Sequence, residues 1–277
     1  MDGDLGRSRG IGMTLELLRN RWTYPVCVAL RDGPLRPAQL LERINEGNVR
    51  NVDLTGLRTL HEKPLFSTLQ RMEEEGLIVR GPDAGSTNGI APRELTSMSR
   101  DLLAALHRVG VWASAHRDEL TVTLRKRRGV SQAEAGSGDR AGTDSALGPE
   151  QEYWRGVGMA LVILRLRWAF AVLHQLSRGP QHPTGVAAAV NADVERNRDI
   201  MGSRSLSEKV LWDTLHRLVD GGLVNHQPRA GQFASTAQCT ITPSGNALLV
   251  ALAPIGSWAA EREEQLTAIV RRRRGLH

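Results

Sequence analysis

Between residues 13 and 31 the apolar positions recur at the spacing of one helical face and stop at "RDGP", where Gly33 and Pro34 end a helix. A short helix follows over 37–45, then an irregular polar stretch, "EGNVRNVDLTGLR". The next pattern, "LHEKPLFSTLQRMEEEGL" (60–77), is amphipathic: at about 100° per residue, Leu65, Leu69 and Met72 share one face. Lys63, Ser67 and Gln70 occupy the opposite face, flanked by Arg71. Thr59 and Glu62 have the spacing of a capping box at its start, and Pro64 falls in or near the first turn, where its missing N–H costs least. Gly76 marks the stop, with Glu73, Glu74 and Glu75 as a solvated helix end. "LIVR" and "RELT" then flank a Gly- and Pro-rich loop, which predicts a β-hairpin. A long helix over 99–125 closes the unit.

The same order returns once. Displacing the chain by 146 positions lays 13–128 on 159–274 without a gap, with roughly forty identical pairs. They include Leu18/Leu164, Arg21/Arg167, Trp22/Trp168, Gly33/Gly179, Asn45/Asn191 and Trp112/Trp258. In the second copy "LSEKVLWDTLHRLVDGGL" stands for the amphipathic helix, with Leu211, Leu215 and Leu218 inward and Lys209, Asp213 and His216 outward, flanked by Arg217. Its start carries Ser205 and Glu208, its stop Gly222, and "ADVERNRDIMGSR" replaces the polar stretch. Such a long unit is a duplicated domain, not a solenoid repeat. Residues 129–158 lie between the copies and read as a linker, flexible up to about Pro149.

Composition narrows the function. The net charge is +6 and the pI about 10.1, which admits nucleic acid as a partner. Residues 13–128 hold 18 basic and 14 acidic groups, and 159–274 hold 14 and 9. Without the runs "RKRR" (125–128) and "RRRR" (271–274) the copies carry 14 − 14 = 0 and 10 − 9 = +1, so the surplus is concentrated. Those runs suit either phosphate or the negative end of a helix. No signal segment and no bilayer-length apolar run is expected, which places the protein in the cytoplasm without membrane contact. The two cysteines, Cys27 and Cys239, fall at unmatched places and outline neither a disulfide framework nor a metal site. No nucleotide loop, zinc motif or nucleophile elbow occurs, so neither an enzyme nor a cofactor is expected.

"LLRNRWTYPVCVALRDGPLRPAQLLERIN", "LQRMEEEGLIVR" and "ELTSMSRDLLAAL" followed by "VWA" resemble the HxlR-type winged-helix regulators, relatives of the MarR group. The second copy, with "ILRLRWAFAVLHQLSRGP", "LHRLVDGGLV" and "TITPSGNALLVAL", is as similar. The resemblance implies a mainly α fold with small β-hairpin wings (α+β), as two winged helix-turn-helix domains in tandem. It also implies a bacterial transcription regulator that binds double-stranded promoter or operator DNA. Family members carry one such domain and pair as homodimers through terminal helices. This chain therefore resembles a built-in pseudo-dimer, and a further homodimer stays open. The expanded stretch 46–58 departs from the family's short turn, and no cysteine precedes Cys27 as it does in thiol-sensing members.

Within that framework the outward residues Lys63, Ser67, Gln70, Arg71, Lys209, Asp213, His216 and Arg217 are candidate base and phosphate contacts. Arg58 and Arg204 ahead of the helices, and Arg80, Arg93 and Arg229 at the hairpins, are candidate phosphate contacts. Asp213 in place of Ser67 gives the second reader a different preference or weakens it. Trp22, Phe66, Trp112, Trp168, Trp212 and Trp258 read as core packing or as a pocket for a small hydrophobic effector. Against DNA reading stands a module of another class, in which tandem winged helices sequester a ligand or bind a protein; near-neutral domains and Asp213 favour it.

Overall fold

The computed structural model describes residues 2–55, 59–81, 91–126, 148–201, 204–226 and 237–276. In chain order the first copy forms α1 (Asp2–Leu17), α2 (Thr23–Ala29), α3 (Pro37–Thr55), α4 (Glu62–Glu74), β1 (Ile78–Arg80), β2 (Arg93–Leu95), α5 (Ser97–Ala105), α6 (His107–Ala115) and α7 (Arg117–Lys126). The second forms α8 (Pro149–Leu164), α9 (Ala169–Leu176), α10 (Pro183–Arg196), α11 (Arg198–Met201), α12 (Glu208–Asp220), β3 (Val224–His226), β4 (Cys239–Ile241), α13 (Pro243–Ala260) and α14 (Glu263–Arg273). The protein is thus mainly helical with two small antiparallel hairpins. No single helix among the described residues is long and apolar enough to cross a membrane.

Glycine places the ends of α4 and α12. Gly76 and Gly222 take φ of 70° and 66°, a region that costs other residues a Cβ clash. Leu77 N–H then donates to Met72 O (2.8 Å) and Gly76 N–H to Glu73 O (3.0 Å). Leu223 and Gly222 repeat this on Leu218 and Val219, both at 2.9 Å. Both helices end in Schellman motifs and turn directly into a strand. The registers are Ile78↔Leu95 and Val224↔Ile241 at the hairpin bases. Leu35 and Gln181 add single antiparallel bridges to Arg93 and Cys239.

At the other end, the capping boxes do not form. α4 starts at Glu62 after His61, and α12 at Glu208 after Ser207, neither with a side-chain cap. Asn45 and Asn191 set these entries instead. Asn45 Nδ2 donates to Leu60 O at 2.9 Å while its Oδ1 accepts from Leu60 N–H at 2.7 Å. Asn191 does the same to Leu206, at 3.1 and 2.7 Å. Each amide imitates a backbone pairing and fixes the chain just ahead of the helix.

Three further expectations are corrected. The polar stretch after Asn45 is helical: α3 runs on to Thr55, and the second copy continues through α10 and α11. Polar residues do not stop a helix by themselves, and even Gly47 lies inside α3, so in the second copy a specific competing side chain is needed to break it. Here that side chain is Asn197, whose Nδ2 donates to Asp193 O at 2.8 Å. The helix expected over 13–31 is broken, because Asn20 Oδ1 accepts from Trp22 N–H (2.8 Å) in a local turn between α1 and α2. The closing helix is segmented at Leu106 and His116, and in the second copy after Ala260. Val109 N–H reaches Leu106 O at 3.0 Å, an i→i+3 bond that leaves the apolar period almost unchanged. The hairpin loops and the stretch 127–147 lie outside the described residues; residues 149–158, at the end of the expected linker, form the start of α8.

The contacts gather the described residues into two compact units. Unit 1 draws on Met1–Leu17, Ala115–Thr123 and Ala160–His277; unit 2 draws on Leu18–Ser114 and Leu124–Met159. In unit 1, α1 lies along α13 and α14. A Cβ on Gly10 would stand 2.8 Å from Ala259 Cβ, and one on Gly256 would stand 2.3 Å from Arg7 Cγ, so the helices meet at glycine. Arg273 Nη1 donates to Glu16 O at 2.6 Å, and Arg274 pairs with Glu16 at 3.5 Å, placing cations at the negative end of α1. In unit 2, α8 meets α6 in the same way: a Cβ on Gly156 would lie 3.1 Å from Ala113 Cβ, and one on Gly110 would lie 2.2 Å from the Tyr153 ring. Each unit therefore combines the body of one repeat with the leading helix of the other.

Cys27 and Cys239 are free and buried. Burial pushes their thiols up to about 12 and about 11, far from the thiolate form at neutral pH. A thiol reagent at pH 7 is expected to label the native chain at least tenfold more slowly than the chain in denaturant. Rapid labelling of either cysteine in the native protein would contradict this burial.

Candidate nucleic-acid interface

The inward faces of α4 and α12 are fixed by burial: Leu65, Leu69, Met72, Leu211, Leu215 and Leu218 are all at most 1% exposed. Thr68 and Thr214 are buried as well, each hydroxyl donating to the carbonyl four residues back, Pro64 O at 2.8 Å and Val210 O at 2.7 Å. What remains outward is Lys63, Ser67 and Gln70 on α4 and Lys209, Asp213 and His216 on α12, every one exposed. Lys63, Lys209 and Asp213 make no ion pair with a described residue, while Gln70 donates to Glu74 at 3.0 Å. Arg71 is half-buried and Arg217 exposed.

The two faces differ in their surroundings. On α12 the Trp212 ring packs against His216 (centroids 5.9 Å apart) and edge-on against His226 of β3 (5.3 Å). The same positions in the first copy are Phe66 and Gln70 on α4 and Arg80 on β1, and Phe66 is 41% exposed. Beside α12 a cleft of about 370 Å³ is lined by Arg167, Arg204 and Arg217 together with Ser205, Asp213 and Trp168. Three guanidiniums against one carboxylate make it a place for an anion. Arg167 was not among the residues expected at the site, although its repeat with Arg21 was visible; both sit over the following tryptophan, at 5.1 and 5.7 Å.

The hairpin cations behave differently from expectation. Arg93 is buried (5% exposed) and ion-paired to Glu73, so it is unavailable to phosphate. Strand β2 turns it under the hairpin, where Glu73 answers its charge and Ala91 O accepts from its Nη1. Arg80 also reaches Glu73, at 3.0 Å, but keeps an exposed side chain, and such a surface pair yields readily to a phosphate. Glu73 is thus an ion-pair centre and Glu75 is buried; only Glu74 is a solvated helix end. Of the terminal arginine runs, Arg273 and Arg274 are engaged at α1; residues 127 and 128, Arg58 and Arg229 lie outside the described residues.

The tryptophans divide as well. Trp22, Trp112, Trp168 and Trp258 are at most 7% exposed and belong to the cores of their units. Trp212 is half-buried on the outer side of α12. No family model, no curated protein and no solved structure matches this chain.

Proposed function

We propose that the chain is a DNA-binding transcription regulator whose two helix-turn-helix readers, each with a β-hairpin wing, share one polypeptide. The observation that carries this reading is the repeated outward face. Lys63 and Lys209 stand at the same position on helices whose opposite faces are core, both exposed and unneutralised by described residues. In each copy a helix, a connecting stretch, this second helix and a hairpin follow in order, which is the order of a helix-turn-helix with a wing. In a major groove, Lys63 and Gln70 can reach base acceptors and adenine, while Asp213 accepts from cytosine N4. Arg167, Arg204 and Arg217 would hold a backbone phosphate beside α12. The unlike faces predict two unlike half-sites instead of a palindrome.

The test is selection from random-sequence duplexes by the full chain, followed by titration of the recovered site across a salt series. Wild type is expected to prefer that site, with affinity falling as salt rises. Lys63→Ala/Lys209→Ala is expected to lower affinity about tenfold or more while the melting temperature is unchanged. Failure to recover any preferred sequence at low salt would end the proposal. The reading then favoured is the ligand or protein-binding module, consistent with Glu73 neutralising the hairpin cations of the first copy.

A further inference from the structure

On α4 the Phe66 ring is 41% exposed, and no ring among the described residues packs against it. The equivalent ring on α12, Trp212, is covered: His216 lies 5.9 Å from it, and His226 of β3 stands edge-on at 5.3 Å. In the first copy the two covering positions are Gln70 and Arg80, and carboxylates hold both elsewhere. Gln70 donates to Glu74 at 3.0 Å, one turn farther along α4, and Arg80 Nε donates to Glu73 at 3.0 Å. The counterpart of Glu73 on α12 is Val219, which offers the residue at 226 no carboxylate. The same substitutions that differ between the copies therefore bare one aromatic ring and cover the other.

A single exposed apolar side chain is ordinary on a protein surface. Phe66 differs in where it stands. At about 100° per residue it borders the outward face, about 40° around the helix from Gln70 and about 60° from Lys63. Lys63, Ser67 and Gln70 are all exposed, so groups able to bond base edges flank the ring. The C5-methyl of thymine is the apolar group that a base pair presents in the major groove, and phenylalanine is one of the side chains suited to it.

We infer that Phe66 contacts the methyl group of a thymine in the half-site under α4. The inference rests on the DNA-reading proposal above and gives one base pair of that half-site a chemical identity. Contact between ring and methyl removes apolar surface from water and demands no fixed direction. It selects thymine over cytosine without a donor or an acceptor, which the polar residues beside it cannot do.

The test takes the full chain and the duplex it selects from random sequence, with each thymine replaced in turn by deoxyuridine, which lacks only the methyl. Wild type is expected to bind one uridine duplex about fourfold more weakly than its thymine parent, the effect of one buried methyl. In Phe66→Ala those two duplexes are expected to bind equally. Both meet the same variant, so any loss of folded protein cancels from the ratio. Phe66→Gln, which keeps the bulk and removes the apolar ring, gives the same readout if the alanine variant does not fold. A selected site with no uridine-sensitive thymine, or with one equally sensitive in Phe66→Ala, would overturn the methyl contact and leave DNA reading standing. Recovery of no preferred sequence would end both.

Discussion

Deleting residues 2–17 is expected to unfold unit 1 while unit 2 stays folded, although α1 belongs by sequence to the other repeat. α1 contributes Ile11, Met13, Leu15 and Leu17, all at most 9% exposed, to unit 1. At about 1.5–3 kcal/mol for each buried side chain, their loss amounts to roughly 6–12 kcal/mol. That is comparable with the roughly 5–15 kcal/mol that holds a whole domain. Arg273 and Arg274 lose their carbonyl and carboxylate partners at Glu16 in the same step. Calorimetry should therefore lose one transition. Limited proteolysis should open sites throughout 160–276 while residues 23–105 resist. The emission of Trp168 and Trp258 should shift red while that of Trp22 and Trp112 does not. A self-contained second repeat over 159–274 makes the opposite prediction, and a chain that melts like wild type after the deletion would establish it.

The parts of the fold visible in the sequence are those set by local chemistry. The apolar face of α4, the glycine stops at Gly76 and Gly222, and the strands 78–80 and 93–95 each follow from residues within a few positions of one another. Residues 2–12 of α1 were not visible because Gly3, Gly6, Gly10 and Gly12 give them poor intrinsic helicity. Their helix comes from packing, and the glycines that weaken it locally are what let Gly10 approach Ala259. The assignment of α1 to unit 1 and of residues 149–159 to unit 2 could not be read either, since a repeat reports ancestry and not contact. The outward residues of α4 and α12 were legible from period alone. Arg93 was not, because an arginine beside a loop is ordinarily solvated, and only the strand register carries it to Glu73.

Asn45→Ala is expected to destabilise unit 2 by about 2–6 kcal/mol, far more than Ser67→Ala on the outward face, where about 0.5 kcal/mol or less is expected. The reason is what the side chain leaves behind. Leu60 is 1% exposed, and Asn45 serves both its N–H and its C=O; alanine strands a donor and an acceptor together, each costing about 1–3 kcal/mol when buried. Asn45→Asp separates the two halves of the bond. Its carboxylate still accepts from Leu60 N–H but faces Leu60 O without a proton to give. The protonated acid restores that donor, so the folded state favours protonation and raises the carboxyl's pKa above its unfolded value. The variant's deficit is therefore smallest below the unfolded pKa and grows as pH rises through the folded one. Because Leu60 enters α4 directly, Asn45→Ala should also speed hydrogen exchange at the first amides of that helix. It should weaken any DNA bound through Lys63 more than the small unfolded population explains. Asn191→Ala should act on α12 in the same way, through Leu206. Denaturant titrations of the two variants decide the matter: midpoints within error of wild type, with unchanged exchange at Leu60 and Leu206, would show that the amide pairs are incidental to how these helices are held.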